Sequence, residues 1–167
     1  LKKRKRIYLE DSRYYVEDVR KNVIDRYGFD RVYKQGFNIK TPLDLKLQKI
    51  ATNSLREGLQ KFDKRKGWRG PLTNIKNNKN WKEDVKKYFL EKSIGWELAI
   101  VKRIDKFETV VETLNNKKGI IQFSDIDWTR KEFKKIFKNG DVIYVKKISS
   151  GNYSLKQLPK ANGGIVV

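Results

Sequence analysis

In the second half of the chain the apolar residues come in short β-rich runs: Leu98-Ala99-Ile100-Val101, Thr109-Val110-Val111, Gly119-Ile120-Ile121-Gln122-Phe123, Val142-Ile143-Tyr144-Val145 and Tyr153-Ser154-Leu155. Turn residues or charge clusters separate them, which is how strands are punctuated in a sequence. The interval between the third and fourth runs is longer and helical in character from Asp127 to Phe137, and it closes on the turn signal Lys138-Asn139-Gly140-Asp141. Three strands, a helix and two more strands is the order of an OB fold, a five-stranded Greek-key barrel. The stretch from Trp96 to Leu158 is therefore predicted to be one small antiparallel barrel. Such barrels host many binding functions, so the architecture alone does not fix what this one does.

The first half follows a helical period. After the candidate N-caps Asp11 and Ser12, the positions Tyr15, Val16, Val19, Val23, Ile24 and Tyr27 recur at helical spacing and stop at Gly28. Val32 to Thr41 alternates and predicts a strand or hairpin arm, ended by Pro42. Asp44 then caps a helix with the apolar stripe Leu47, Ile50, Ala51, Leu55, Leu59 and Phe62; its opposite face, from Lys46 to Lys66, is basic and reads as solvated. Gly67-Trp68-Arg69-Gly70-Pro71 breaks that helix, Asn74 to Asn80 reads as linker, and Trp81 to Leu90 predicts a short helix presenting Trp81 and Val85. The fold class is thus α+β. A helical and linker half covers residues 1–94, the five-stranded antiparallel OB-like barrel covers 95–159, and residues 160–167 end on an apolar run that predicts the start of a further strand.

Composition narrows the chemistry. The chain has no Cys and no His, which removes disulfides, thiolate metal sites, the commonest metal ligand and the commonest general base. It also has no Met, so Leu1 is not an initiator; with the closing run Gly163-Gly164-Ile165-Val166-Val167, this predicts a piece of a longer protein. Lys plus Arg number 40 against 20 Asp plus Glu, a formal charge of +20 that selects anionic partners. Because the lysines are spread along the chain, the charge is read first as compositional, and the Lys2-Lys3-Arg4-Lys5-Arg6 run as a solvated end. No apolar run approaches the roughly 18 residues of a membrane span, and no signal peptide is visible.

Two stretches together carry a resemblance. Gly36 to Gln48, continued by Leu55-Arg56-Glu57-Gly58-Leu59 and Asp63-Lys64-Arg65-Lys66-Gly67-Trp68-Arg69-Gly70-Pro71, resembles the segment that opens the transpeptidase module of class A penicillin-binding proteins of the 1A type. Gly119-Ile120-Ile121, Asp125-Ile126-Asp127-Trp128, Gly140-Asp141-Val142 and Tyr153 to Pro159 are similar, in order, to the OB-like domain which that family inserts after this helix. Asn162 to Val167 resembles the return into the first transpeptidase strand. Two departures are local: Leu45 follows Asp44 where the family usually has proline, and Lys66 stands where a His is common. The resemblance implies a bifunctional parent, with glycan polymerisation by an upstream glycosyltransferase and peptide cross-linking by the downstream transpeptidase. The parent would be anchored at the periplasmic face of the bacterial inner membrane, with its anchor outside this piece. This segment would be the non-catalytic spacer between the two activities, with the rest of the parent, a regulatory protein or peptidoglycan as partners.

No catalytic residue, cofactor site or metal ligand is assigned. The family nucleophile lies in Ser-x-x-Lys, a pattern this chain lacks. Ser150-Gly151-Asn152, Lys138-Asn139-Gly140 and Lys117-Lys118-Gly119 echo companion motifs but read as turns, and Glu10-Asp11 reads as helix capping. Asp125 and Asp127 are likewise expected to cap the helix that follows them. Candidate partner-binding residues are Trp128, Arg130, Lys131 and Lys134 on the helix side, and Lys146, Lys147 and Tyr153 near the last strands; Trp128 is read first as a plug for the open end of the barrel. The rival function is single-stranded nucleic-acid binding. There Phe107 and Phe123, on the second and third strands, would stack bases while Lys102, Arg103 and Lys106 met phosphates. Both Phe residues are read first as core, and Gln122 stands where RNA-binding OB domains of the ribosomal-protein type commonly have a stacking His.

Overall fold

A computed structural model describes residues 12–75, 81–90 and 94–160. The described residues up to Gly58 form one compact unit, and Leu59–Lys160 form a second. The first carries α1 (Arg13–Tyr27), α2 (Phe29–Gln35) and most of α3 (Leu45–Arg65). Helix α3 starts where its cap predicts: the Asp44 carboxylate accepts the backbone N–H groups of Lys46 and Leu47 at 2.7 and 3.1 Å. The strand expected over Val32–Thr41 is not formed. Helix α2 occupies the start of that stretch, and residues 36–41 have no regular structure. The alternating pattern lost to local helical pairing, in which Phe29 packs on Tyr33 at 4.5 Å and Lys34 meets Asp30 at 3.1 Å, one helical turn apart in each case.

In the second unit β2 (Glu97–Ile104), β3 (Glu108–Thr113), β4 (Lys118–Gln122), β5 (Asp141–Ser149) and β6 (Asn152–Lys156) close into a barrel. The order β5-β2-β3-β4-β6 is completed by pairing of β6 back onto β5. All contacts are antiparallel except the short parallel meeting of β4 with β6, and a two-residue β1 (Thr73–Asn74) adds to the outer edge of β5. This is the α+β, OB-like architecture the strand order predicts. A bulge in β2 between Val101 and Arg103 bends the strand as closure requires.

Side-chain alternation decides where the core sits. Ala99, Val101, Val111, Ile121, Ile143, Val145, Tyr153 and Leu155 point inward and meet Ile126, Phe133, Ile136 and Phe137, which seal one end. The opposite faces of β2 and β5, Leu98, Ile100, Val142 and Tyr144, are also buried, under Trp81 of α4 (Trp81–Asp84) and Val85. Those two strands are covered on both faces, which explains why their sequences read as unbroken apolar runs while β3 alternates. At Gly119 on β4, the Tyr153 ring lies where a Cβ would stand. The helix expected over Asp127–Phe137 is broken: Asp127–Thr129 is a 3-10 turn, Arg130 takes a left-handed conformation at φ 56°, and α5 covers only Phe133–Ile136. Its apolar positions still reach the core, through turns. Asp125 and Asp127 lie within these turns, and Glu132 precedes α5, so the expected carboxylate caps are not made.

Candidate functional site

The predicted partner-binding residues divide. Arg130, Lys131 and Lys134 are exposed on the α5 turn, and Lys146 and Lys147 are exposed on the outer half of β5. Tyr153 is not available: it is 2% exposed inside the barrel, because its neighbours alternate outward and the glycine at position 119 leaves room for its ring. Trp128 is half-buried. Its indole stands edge-on to Trp68 with ring centres 6.0 Å apart, and the Lys64 amine lies 5.3 Å from its ring, so it packs the end of the barrel against the segment that follows α3.

The nucleic-acid candidates are arranged differently from expectation. Phe107 precedes β3 and Phe123 follows β4; both are exposed, at 71% and 45%, and neither belongs to the core. The Phe123 backbone N–H donates to the Phe107 carbonyl at 3.2 Å, so the two are neighbours. Of the three candidate phosphate contacts, Lys102 pairs with Glu112 at 3.6 Å, Arg103 with Asp105 at 2.9 Å, and the Lys106 amine sits 5.2 Å from the Phe107 ring. The cations around this aromatic pair are therefore largely engaged within the chain. Ser150-Gly151-Asn152 forms the β5–β6 turn, with the Asn152 amide donating to the Ser149 hydroxyl at 3.0 Å. Lys138-Asn139-Gly140 is a turn closed by the Lys138 N–H on the Asp141 carboxylate at 2.7 Å. Lys2–Arg6, Glu10-Asp11 and Asn162–Val167 lie outside the described residues.

The most connected polar group among the described residues of this unit lies outside the sequence-predicted site residues. Asp63, at the end of α3, is 4% exposed and accepts Arg69 Nη1 at 2.5 Å and Gln157 Nε2 at 2.6 Å. Arg69 Nη2 donates to the Leu158 carbonyl at 2.6 Å, the Arg69 backbone N–H donates to Gln157 Oε1 at 2.8 Å, and Gln157 Nε2 also reaches the Gly67 carbonyl at 3.1 Å. Burial alone pushes the Asp63 carboxyl up, but Arg69, Gln157 and the Lys160 backbone outweigh it and hold the group below its ordinary range. The chain thus enters the barrel at Trp68-Arg69 and leaves it at Gln157-Leu158 through one clipped neck. The signal was present: both ends of the clip lie inside the two motif runs, Arg-Gly-Pro and Gln-Leu-Pro, that carry the family resemblance.

Residues 68–161, more than half of the chain, match the family described as "Penicillin-binding protein OB-like domain". The chain belongs to this family. Penicillin-binding protein 1A of Rickettsia felis is 37% identical over 172 residues, covering 100% of this chain and 22% of the relative. That of Pseudomonas aeruginosa is 27% identical, covering 92% of this chain and 20% of the relative. The chain therefore spans about a fifth of the length of these curated relatives. Among solved structures, penicillin-binding protein 1A from Haemophilus influenzae aligns over 87% of this chain and 22% of its own, with a TM-score of 0.65 at 24% identity, a likeness of fold. No helix among the described residues is long and apolar enough to cross a membrane.

Proposed function

We propose that this chain is the non-catalytic linker and OB-like segment of a bifunctional peptidoglycan synthase, acting as a spacer and as a docking module for a regulatory protein or the glycan. In this reading residues 1–94 are the linker and opening helices of the transpeptidase module, 95–159 the barrel, and 160–167 the start of a returning strand. The parent works at the periplasmic face of the inner membrane, where its glycosyltransferase polymerises glycan and its transpeptidase cross-links peptides.

The observation that carries the reading is the clipped neck. A domain inserted into an enzyme must leave and re-enter its host at one place, and here Asp63, Arg69 and Gln157 tie the two crossings together. A spacer also needs its own core, and the barrel has one. The test is made in the full-length parent, with residues 71–155 replaced by a short Gly-Ser linker so that the clip remains. Polymerisation and cross-linking by the purified enzyme should stay within about threefold, a change of under 1 kcal/mol in barrier, while regulator stimulation or binding to sacculi is lost. Loss of both basal activities would make the barrel part of the catalytic machinery; full retention of stimulation and binding would remove the docking role.

A further inference from the structure

Beside the neck lies a groove of about 520 Å³, confined to the barrel unit and bordered by residues 68–72, 87–90 and 156–160, with the buried Ile143 and Tyr144 of β5 at its base. Its charge is one-sided. Among the described residues Arg69, Lys87, Lys156 and Lys160 line it, and no Asp or Glu does. Asp63 neutralises Arg69, whereas among the described residues Lys87, Lys156 and Lys160 have no ion-pair partner, and the Lys87 amine lies 5.1 Å from the Tyr88 ring. Lys156 is only partly exposed; burial pushes its pKa down, and the nearby amines of Lys64 and Lys146 push it further the same way, against an opposing pull from Asp125. Like charges gathered on a partly desolvated surface favour an anion.

Apart from these cations the exposed side chains of the groove are apolar, and its hydroxyl and amide side chains are engaged. Phe89 and Leu158 stand at its rim, 56% and 43% exposed. The tyrosine hydroxyls are engaged: Tyr88 donates to the Leu72 carbonyl at 3.2 Å and Tyr144 to the Tyr88 carbonyl at 2.8 Å. Gln157 is held in the neck clip. Strand β5 is paired on both sides, by β2 and β6, so the groove offers no strand edge. A neutral glycan, which draws on hydroxyl and amide side chains, finds none of these free among the described lining residues. A ligand with carboxylates and apolar side chains in one extended segment fits both features.

We propose that this groove docks an extended acidic peptide of a partner protein, with carboxylates on Lys87, Lys156 and Lys160 and an apolar side chain between Phe89 and Leu158. This rests on the docking role given above. The probe is a fluorescein-labelled synthetic peptide of alternating Glu and Tyr or Leu, titrated into the 167-residue chain. At about 0.15 M ionic strength, it should bind at least about tenfold tighter than its Lys-for-Glu counterpart. Lys87→Glu with Lys156→Glu should weaken binding about tenfold or more, as reversal of close charge pairs does. Phe89→Ser should weaken it about threefold, whereas Lys117→Glu with Lys118→Glu, the same charge change at the exposed β3–β4 turn, should alter it less than about twofold. The milder Lys87→Gln with Lys156→Gln pair, checked by circular dichroism, separates loss of the site from loss of the fold.

Equal weakening by both reversed pairs would reduce the effect to net charge and overturn the proposal. So would stronger binding at this groove by a single-stranded oligonucleotide or by phosphatidylglycerol vesicles. Binding to the 167-residue chain but not to the full-length parent would mean that the parent's own chain fills the groove, and would overturn it too. If partner stimulation of the parent needs the barrel but tolerates Lys87→Glu with Lys156→Glu, the groove assignment fails while the docking role stands.

Discussion

The barrel unit and the helices before it use hydrophobic residues at equal regularity and to opposite ends. In the barrel, twelve apolar or aromatic side chains form one closed inner core, and a second layer is buried between the sheet and Trp81 and Val85. Helices α1 and α2 bury no side chain, and the only buried residue of α3 is Asp63, which belongs to the barrel's neck. The apolar stripe of α3 is solvated, with Leu47 and Ile50 at 65% and 61% exposure. A periodic stripe therefore marks a face suited to burial without showing that the same stretch of chain supplies the cover. The barrel is organised to stand on its own residues; the stripe of α3 has the form of an interface.

The largest break in that contrast comes from the core. Leu155→Ala removes a fully buried side chain of β6 and should cost about 2–5 kcal/mol, read by urea denaturation followed through Trp68 and Trp128 fluorescence. A loss below about 1 kcal/mol would mean that the barrel's interior is not close-packed.

Next comes the clip. Arg69→Ala leaves the Asp63 carboxylate buried without its cation, and because Arg69 is itself partly exposed the expected cost is about 2–3 kcal/mol. The pH dependence follows from the same group. A carboxyl depressed on folding stabilises the protein above its unfolded pKa and loses that contribution as pH falls through the folded value. Stability of the native chain should therefore decline below about pH 4, and Asp63→Asn should flatten that part of the profile while lowering stability at neutral pH. An unchanged acid limb in Asp63→Asn would assign the decline to other carboxylates. Smaller again is Gly140→Ala. Gly140 sits at φ 86° with the Ile75 carbonyl where a Cβ would go, so about 1–3 kcal/mol is expected and should appear as a lowered denaturation midpoint.

How much was legible follows the range of the interactions. Strand positions and their order were readable because each strand of the barrel writes its burial into its own residues, as in the inward series Val101, Val111, Ile121, Val145 and Leu155. The cap of α3 was readable because Asp44 acts two and three residues away. The stretch from Val32 was misread because its two candidate periods differ only through side-chain pairs such as Phe29 with Tyr33. The turn series after β4 kept helical spacing with only the short α5, because Ile126, Phe133 and Phe137 are held by the barrel's end as well as by the stacking of Phe133 on Phe137. Phe107 and Phe123 were placed on strands although they flank them, and that one-step difference moves each ring from core to surface. Tyr153 shows the converse, since a tyrosine on a basic outer strand reads as exposed until the space left by Gly119 is seen. The clip and the groove join residues nearly 90 positions apart, so the Arg-Gly-Pro and Gln-Leu-Pro runs mark both ends of the clip while local spacing does not show that they meet.

The smallest expected effect is the one that sharpens the contrast most. Leu47→Ala and Ile50→Ala, made in the 167-residue chain, change side chains that are already in water, so each should shift stability by no more than about 0.5 kcal/mol. Alanine is also the better helix former, which offsets part of any lost contact. In the full-length parent the same substitutions should cost about 2–5 kcal/mol each if the stripe is covered there, the range for truncating a buried Leu or Ile. The pair of measurements separates a face that is apolar by composition from one built to be buried. Equal, small effects in both contexts would leave the stripe solvated in the parent as well, and the helices would then be a linker in the plain mechanical sense.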